Sequence, residues 1–277
     1  MSERVLLAGC GDVGLRLAKL LRLRGDAVWA LRRTPPAGAH DGIHWISADL
    51  TATQSLRELP TGLTQLVYLP APDRRDADTY RALFSGGLRN VLAAPGMTTL
   101  RRVLMVSSSA VYGEHGAAWV DEQTPPAPLA FNGTVLRDVE QWLTAQPVRS
   151  VVLRLAGLYG PERLQLLQRL RAGLAKVPRS LQHWANRIHV DDAAAAIAHL
   201  LQLPEPMDLY LGVDDTPLPL DVLYDHLARL IDAPLPADGP PPAGVGSKRL
   251  SNARLRASGF APRWPDARTG YAALLAH

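Results

Sequence analysis

The chain has 277 residues, of which 47% are hydrophobic and 20% are charged, and its formal net charge is +4. This length fits one large domain or two modest ones, and the composition is ordinary for a globular protein in water. No apolar run reaches the roughly 18 residues that span a bilayer, no signal-peptide pattern opens the chain, and the basic residues form no stripe typical of nucleic-acid binding. With Cys10 as the single cysteine, we expect a cytoplasmic protein without a disulfide and with neither a membrane nor a nucleic acid as partner.

Apolar runs and helical spacings alternate along the first part of the chain. Apolar spacing predicts a helix that follows Gly9 and ends at Gly25, and further helices at 76–94 and 133–145. Short apolar runs predict strands at 5–9, 27–31, 43–48, 66–71, 102–108 and 151–157. Strands that alternate with helices, and that are apolar throughout because both faces are buried, are typical of a parallel doubly wound α/β sheet.

The regular alternation of predicted strands and helices ends after Tyr159. The next segments predict an amphipathic helix at 161–173, a strand, an aspartate cap and a helix across 186–202, and a seventh strand at 207–213. A helical, proline-rich region follows, with Ser251 as the N-cap of a last short helix. We therefore predict a nucleotide-binding domain of residues 1–160 plus about 185–213, and a smaller, interleaved substrate lobe of 161–184 plus 214–277.

The first strand leads into a glycine-rich turn. Its G-x-G-x-x-G pattern directly follows a strand and opens a helix, the context in which the pattern predicts dinucleotide binding. The first glycine permits the tight turn, the second lets the backbone approach a pyrophosphate, and the third allows close packing of helix and strand. The helix N-terminus adds free N–H groups and the positive end of a dipole. The predicted pyrophosphate site is Gly9, Gly11, Asp12, Val13 and Gly14.

The ends of the next two strands indicate which dinucleotide binds. A carboxylate at the end of the second strand would favour NAD, but Arg32 and Arg33 stand there. Guanidinium groups suit a 2′-phosphate, so NADP(H) is favoured over NAD(H). After the third strand, Asp49 is placed to accept from an adenine amino group or simply to form a turn, and Leu50 is a further candidate contact.

With these residues in place, the chain resembles the short-chain dehydrogenase/reductase superfamily, in its extended branch of NAD(P)-dependent epimerases and dehydratases. The resemblance implies a Rossmann-type domain, a C-terminal substrate lobe and a small-molecule substrate. A homodimer is a possible assembly by analogy with that superfamily. The resemblance runs nearly end to end, through VLLAGCGDVG, MVSSSAVYG, WVDEQTPPAP, VVLRLAGLYGP, NRIHVDDAAAAI and LYLGVDDTPLPL.

The resemblance also implies a catalytic serine, a tyrosine on the next helix and a lysine one turn later. The serine falls on Ser108, three residues before Val111. The tyrosine and lysine positions fall on Asn132 and Leu136, and none of the seven tyrosines is followed by lysine four residues later. The chain therefore resembles an atypical member whose usual proton-transfer pair is absent.

Substitute groups come from the loop after the fifth strand. Tyr112 and His115 are candidates for the proton donor, because a placed histidine titrates near neutrality; an exposed loop histidine is the alternative for His115. A water held by Asn132 is a third candidate. No metal site is predicted.

Two functions remain open. One is an NADP(H)-dependent oxidoreductase or epimerase-like enzyme that acts on a small carbonyl or sugar-like substrate through an atypical active site. The other is a Rossmann protein that senses NADP(H) or a metabolite without catalysis.

Overall fold

The computed structural model describes residues 2–37 and 42–276. Its strands are short, and several consist of only two residues. Their bounds are β1 Arg4–Ala8, β2 Ala27–Arg32, β3 His44–Ser47, β4 Gln65–Tyr68, β5 Arg102–Ser108, β6 Trp119–Val120, β7 Arg149–Leu155, β8 Gly157–Tyr159, β9 Lys176–Val177, β10 Trp184–Ala185, β11 Arg187–His189, β12 Leu209–Gly212, β13 Leu218–Pro219, β14 Ala237–Asp238 and β15 Arg249–Leu250.

The helices lie between and after these strands. Short 3₁₀ turns occupy Thr53–Leu56, Pro95–Met97 and Ser109–Val111, and a π-helical segment occupies Arg81–Gly86. In the described part of the chain, none of the helices has both the length and the apolar character needed to cross a membrane. The α-helices are α1 Asp12–Leu23, α2 Ala77–Tyr80, α3 Gly87–Leu92, α4 Phe131–Thr144, α5 Gln165–Arg171, α6 Val190–Gln202, α7 Leu220–Leu230, α8 Ala253–Ala257 and α9 Ala267–Leu275.

A seven-stranded sheet dominates the fold, with the strand order β12-β7-β5-β4-β1-β2-β3. The strand β1 pairs in parallel with β2 on one side and with β4 on the other. The chain order therefore reverses next to β1, and in open α/β sheets ligands bind outside the carboxyl ends of the strands at such a point. The predicted α/β class with a parallel Rossmann-type sheet of about seven strands is confirmed.

Some local predictions are wrong in detail. The run 66–71 ends as a strand at Tyr68, because Pro70 follows and proline cannot donate to a strand ladder. The predicted helix at 76–94 is helical but contains the π segment. The predicted aspartate cap is absent, since α6 begins at Val190 and Nδ1 of His189 accepts from the backbone N–H of Asp191.

The C-terminal region also differs from the prediction. The N-cap of α8 is Asn252, and its neighbour Ser251 accepts from Ala253 N–H. The helix α9 and the pairing of short strands into four two-stranded ladders among the described residues were not predicted, although the strand predicted at the start of 186–202 is present as β11. Two-residue strands carry no readable alternation, since a period of two needs a run of residues to be seen.

The chain divides into two compact units. Unit 1 is Met1–Ser108, Phe131–Leu153 and Ala194–Leu209; unit 2 is Ser109–Ala130, Arg154–Ala193 and Tyr210–His277. In unit 1, all four residues of β4 are buried, as expected for a central parallel strand. Unit 2 has its own apolar core, in which Tyr159 and Tyr271 stack beside side chains of α5 and α7. The domain limits at 160, 185 and 213 stay a prediction.

Candidate functional site

A cavity of about 760 Å³ opens in unit 1 at the carboxyl ends of β1, β2, β3 and β4. Each of these strands contributes the residues that directly follow it, so the sheet itself aligns the walls. The opposite wall comes from α2 and the π-helical segment. The lining residues are Gly9, Cys10, Gly11, Leu31, Arg32, Arg33, Thr34, Ala48, Asp49, Leu50, Thr51, Pro70, Ala71, Asp73, Arg74, Asp78, Thr79, Ala82 and Leu83.

The glycine turn after β1 has three different spatial requirements. Gly9 has φ of +91°, and a Cβ there would lie 2.5 Å from Cα of Pro70, so only glycine fits without strain. Gly14 packs on the sheet, since a Cβ would lie 3.0 Å from Sγ of Cys10. Gly11 is different, because a Cβ there would meet nothing within 4 Å. The open space at Gly11 is where the backbone can approach a ligand.

The first turn of α1 begins at this open space. Gly11 is its N-cap, and no side chain caps the helix. The free N–H groups and the dipole of a helix N-terminus attract an anion such as a pyrophosphate. Of the predicted cofactor residues, Gly9 and Gly11 line the cavity, whereas Asp12, Val13 and Gly14 lie in this first turn. Asp12 pairs with Arg16 at 2.9 Å.

The two arginines after β2 have different surroundings. Both are exposed and both line the cavity. Arg33 forms an ion pair with Asp73, whose Oδ2 lies 2.6 Å from Nη2 of Arg33. The carbonyl of Arg32 accepts from the backbone N–H of Ala48, but its guanidinium has no hydrogen bond or ion pair to any residue in the described ranges 2–37 and 42–276. Arg32 is therefore the guanidinium that a cavity-bound anion can engage without competition.

Asp49 forms a turn and keeps part of its carboxylate free. Its Oδ1 accepts from both the backbone N–H and the hydroxyl of Thr51, at 2.8 and 2.7 Å. These hydrogen bonds hold the pKa of the Asp49 carboxyl below its usual range. Leu50 is buried beside it and lines the cavity. Asp49 Oδ1 thus serves the turn, and Oδ2 is left to accept a hydrogen bond in the cavity.

The π-helical segment was not anticipated, although it forms part of the cavity wall. The buried Tyr68, at the end of β4, donates its hydroxyl to the carbonyl of Leu83 within that segment. A Cβ at Gly87 would clash with the same hydroxyl, so glycine makes room for it. π-helical turns are often found at functional sites. The sequence signal that could have revealed this one is the Gly86-Gly87 pair inside an otherwise helical run.

Two neighbouring serines at the end of β5 have different roles in unit 1. Ser107 is buried and donates its hydroxyl to Oε1 of Glu140 on α4, which is also buried. Ser108, the predicted orienting serine, is the last residue of β5 and is partly exposed. Burial leaves Ser107 to connect strand and helix, and Ser108 is the serine that a ligand can reach.

The first turns of α4 carry Asn132 and Leu136, the two positions at which the sequence comparison predicts the tyrosine and lysine to be replaced. Oδ1 of Asn132 is buried and has no hydrogen-bond partner in the described parts of the chain. Leu136 is buried as part of the apolar stripe of α4. An amide cannot release a proton near neutral pH and a leucine cannot bind a ribose hydroxyl, so these two positions supply no proton relay.

In unit 2, Tyr112 is held by two strong contacts. Its hydroxyl donates to the carbonyl of Asp121 at 2.9 Å and accepts from Nη1 of Arg154 at 2.7 Å. The tyrosine is 1% exposed, and the same guanidinium lies over its ring. These contacts favour a structural role for Tyr112 over proton donation, because its proton already points at a backbone carbonyl.

His115 lies on the same loop of unit 2. Its backbone N–H donates to the carbonyl of Ser247 at 2.8 Å, and its ring packs edge-on against Tyr112. Nε2 of His115 is buried and has no hydrogen-bond partner within the described residues. Farther along the loop, Glu122 accepts from the backbone N–H of Leu211, and burial raises the pKa of its carboxyl. His115 is thus the loop residue with hydrogen-bonding capacity to spare.

Comparisons with known proteins agree with this architecture. The chain is 29% identical to protein YeeZ of Escherichia coli strain K12, over 83% of this chain and 84% of that protein. It is similar to the solved structure of a candidate NAD-dependent epimerase/dehydratase from Methylobacillus flagellatus, with 39% identity, a TM-score of 0.84 and coverage of 100% and 98%.

A more distant structure shares the fold. The UDP-glucose 4-epimerase of Thermus thermophilus, solved in complex with NAD, is 20% identical, with a TM-score of 0.81 and coverage of 99% and 98%. The sequence profile of the NAD dependent epimerase/dehydratase family matches residues 5–211, which is most of the chain. The protein therefore belongs to the NAD dependent epimerase/dehydratase family.

Proposed function

We propose that the protein is an NADP(H)-dependent oxidoreductase or epimerase-like enzyme that acts on a small carbonyl or sugar-like substrate. The observation that carries this proposal is the cavity of unit 1, where the glycine turn and Arg32 line one space. Its volume of about 760 Å³ falls within the range of ligand and cofactor sites. NADPH, when bound, supplies a hydride to the substrate carbonyl carbon.

The residues of the cavity suit the separate parts of NADP(H). The N-terminus of α1, with Gly11 at its open side, suits the pyrophosphate. Arg32 suits the 2′-phosphate through charge-assisted hydrogen bonds. Oδ2 of Asp49 suits the adenine amino group. The pyrophosphate, the 2′-phosphate and the adenine amino group each have a complementary group of the chain in this arrangement, which supports the binding of a dinucleotide.

The nucleotide preference is tested with Arg32→Ala. A charge-assisted contact contributes roughly 1.5–3 kcal/mol, so the variant should bind NADPH about one to two decades more weakly and leave NADH affinity nearly unchanged. The measurement is isothermal titration calorimetry with both cofactors at fixed ionic strength. Arg57→Ala removes an exposed arginine outside the cavity and is the matched control. Equal affinity of the unaltered protein for NADPH and NADH would contradict the preference.

The pyrophosphate position is tested with Gly11→Ala. The φ of Gly11 is −92°, outside the left-handed region that favours glycine, and a Cβ there meets no protein atom within 4 Å. The variant should therefore keep the melting temperature of the unaltered protein, yet bind NADPH at least about tenfold more weakly because the methyl group fills ligand space. Unchanged NADPH affinity in a folded Gly11→Ala variant would place the dinucleotide elsewhere.

Turnover is tested with NADPH and a panel of aldehydes, ketones and nucleotide sugars. We infer that Ser108 orients the substrate carbonyl and that His115 or solvent supplies the proton, since a placed acid is typically worth about 10²–10⁴-fold. Ser108→Ala should then lower turnover, and His115→Ala should lower it only if His115 is the donor. Epimerisation without net cofactor consumption is followed by chromatography of the sugars.

The buried Leu136 and the amide of Asn132 favour a second candidate, a non-catalytic NADP(H)- or metabolite-sensing protein. Neither residue supplies the proton relay that hydride transfer to a carbonyl uses. Tight NADPH binding without turnover of any member of the panel would favour the sensor. Turnover that Ser108→Ala abolishes would favour the enzyme.

A further inference from the structure

In unit 2, the segment around Ser247 is fastened to the loop after β5. Gly246 packs so closely on the backbone of Gly113 that a Cβ would clash with its carbonyl. Ser247 donates its backbone N–H to Oε2 of Glu114 at 2.7 Å, and its carbonyl accepts from the backbone N–H of His115. The backbone N–H of Trp184 donates to the hydroxyl of Ser247 at 3.3 Å. Three chain segments that are distant in sequence are therefore held at one place.

Lys248 is buried at this junction with little to neutralise it. It is 4% exposed, and its Nζ donates to the carbonyl of Gly246 at 3.0 Å. Within the described ranges, that neutral carbonyl is its single hydrogen-bond acceptor. An ammonium group has three donors, so two are unused. A buried charge without a hydrogen-bonded counter-ion is costly, and such a group is stabilised by an anion that reaches it.

The nearby carboxylate does not fill this role. The charge of Glu114 acts on Lys248, but its two oxygens accept from backbone N–H groups, Oε1 from Gly116 and Oε2 from Ser247. Glu114 forms no ion pair with Lys248 among the residues that the structure describes. Its carboxylate thus orders the loop and leaves the ammonium donors of Lys248 available.

A second buried nitrogen base faces the same charges. His183 is 4% exposed, and its ring makes no hydrogen bond to any described residue. The residues on either side of His183 contact the hydroxyl of Ser247, which accepts from the backbone N–H of Trp184 and donates to the carbonyl of Gln182 at 3.4 Å, so His183 and Lys248 flank the same junction. On the same loop as Glu114, Nε2 of His115 is also buried without a partner in the described chain. Burial lowers the pKa of His183, so its neutral ring offers one N–H beside the ammonium group of Lys248.

We propose that Lys248 and His183 bind an oxyanion, a carboxylate or phosphate group of a small ligand, at a site that lies wholly within unit 2. The unused donors of a buried ammonium and a buried imidazole call for an acceptor that carries negative charge. Burial lowers the pKa of Lys248 to about 8, so the ammonium form still predominates at neutral pH. This site is separate from the dinucleotide cavity and does not depend on the proposed function.

The test uses the small number of lysines in the chain. Lys19 and Lys176 are exposed, so a protein labelled with ¹³C-lysine gives two solvent signals beside that of Lys248. Inorganic phosphate and acetate are each titrated into the full chain at neutral pH, with sodium chloride holding the ionic strength constant. We expect a saturable shift of the Lys248 signal while the other two signals stay fixed. A response to phosphate alone, to acetate alone or to both identifies the class of oxyanion.

Substitutions at Lys248 and His183 test whether these side chains bind the oxyanion. Lys248→Met should weaken calorimetric binding of the active probe by about tenfold or more, whereas Lys176→Met, the matched removal of an exposed lysine in unit 2, should not. Lys248→Arg retains the charge if the methionine variant fails to fold. His183→Gln should weaken binding less. A Lys248 signal that responds to neither probe, or that moves linearly together with the other two, would overturn the proposal and leave Lys248 as a structural donor to Gly246.

Discussion

Two adjacent arginines line the cavity, and a carboxylate from another loop distinguishes them. Asp73 follows β4 and pairs with Arg33, while Arg32 has no such partner in the described ranges. Both members of the pair are more than half exposed, where an ion pair is worth about 0–1 kcal/mol. A 2′-phosphate bound in the cavity would therefore compete with Asp73 for the guanidinium of Arg33. The negative charges of the phosphate and of Asp73 would also repel each other. Asp73 thus acts against a 2′-phosphate in the cavity.

Asp73→Asn should strengthen NADPH binding by about two- to fivefold, because it frees Arg33 and removes a negative charge from the cavity wall. NADH carries no 2′-phosphate, so its affinity should change little. Calorimetry at low and high salt measures both effects, and the gain should shrink at high salt.

A double-mutant cycle tests whether Asp73 weakens NADPH binding through its ion pair with Arg33. If Asp73 acts through Arg33, the Asp73→Asn gain should largely vanish in an Arg33→Ala background. A gain of the same size in that background would mean that Asp73 repels the phosphate directly and that its pairing with Arg33 is irrelevant.

At the scale of the elements, the π-helical segment Arg81–Gly86 is hydrogen-bonded to the end of a strand of the sheet. Tyr68 at the end of β4 reaches the carbonyl of Leu83, and Gly87 leaves space for its hydroxyl. The buried environment raises the pKa of that hydroxyl, so it stays a donor at all ordinary pH values. The wall formed by Ala82 and Leu83 is thereby fixed from the sheet side.

Gly87→Ala should lower the free energy of unfolding by about 1–3 kcal/mol, because the added methyl group overlaps the Tyr68 hydroxyl in a packed interior. Chemical denaturation measures the change. Gly86→Ala is the matched control, since a Cβ there lies 3.9 Å from its nearest neighbour.

Removal of the Tyr68 hydroxyl separates the effect of the steric overlap from the effect of the lost hydrogen bond. Tyr68→Phe removes the hydroxyl that the Gly87→Ala methyl group overlaps, but it also removes the hydrogen bond to Leu83. The double variant should therefore lose less free energy of unfolding than the sum of the losses in the two single variants. Simple additivity would show that the overlap is absorbed elsewhere in the helix.

At the scale of the whole molecule, we expect the buried carboxyl group of Asp214 to make the free energy of unfolding depend on pH. Asp214 in unit 2 is 2% exposed, and its Oδ2 has no partner in the described residues. Burial, and to a smaller extent the charge of Asp266, raises its pKa to about 8, while Arg187 opposes the shift. The folded protein therefore holds a proton on Asp214 that the unfolded chain releases near pH 4.

This difference has a definite sign. Since the folded state binds the proton more tightly, stability from Asp214 is fully present below about pH 4 and is lost as the pH rises to about 8. Asp214→Asn should remove that loss and flatten the stability profile across this window. Thermal denaturation as a function of pH measures it, with the exposed Asp208→Asn as control. The same slope in Asp214→Asn as in the unaltered protein would show that Asp214 is ionised in the fold.

Much of the fold follows from local pattern. Short apolar runs predict the seven strands of the sheet, because a parallel strand that is buried on both faces, such as β4, is apolar throughout. The strand-turn-helix context of Gly9, Gly11 and Gly14 predicts the glycine turn that lines the cavity, since the backbone conformation of such a turn is encoded within a few residues. Arg32 at the end of β2, and the absence of a lysine four residues after any tyrosine, are also plain in the chain.

The remaining features depend on which distant segments the fold brings together. The pairing of Arg33 with Asp73, the contact of Tyr68 with Leu83 and the hydrogen bond of Ser247 to Glu114 join residues that are 40, 15 and 133 positions apart. No local spacing reports such a contact, because it arises only when strands and loops pack. The same packing excludes water from Asp214 and Lys248, and it is this loss of solvent that changes their proton affinity. Sequence alone therefore determined the sheet and the glycine turn after β1, and tertiary packing decided which charges stay paired, which stay unsatisfied and which can meet a ligand.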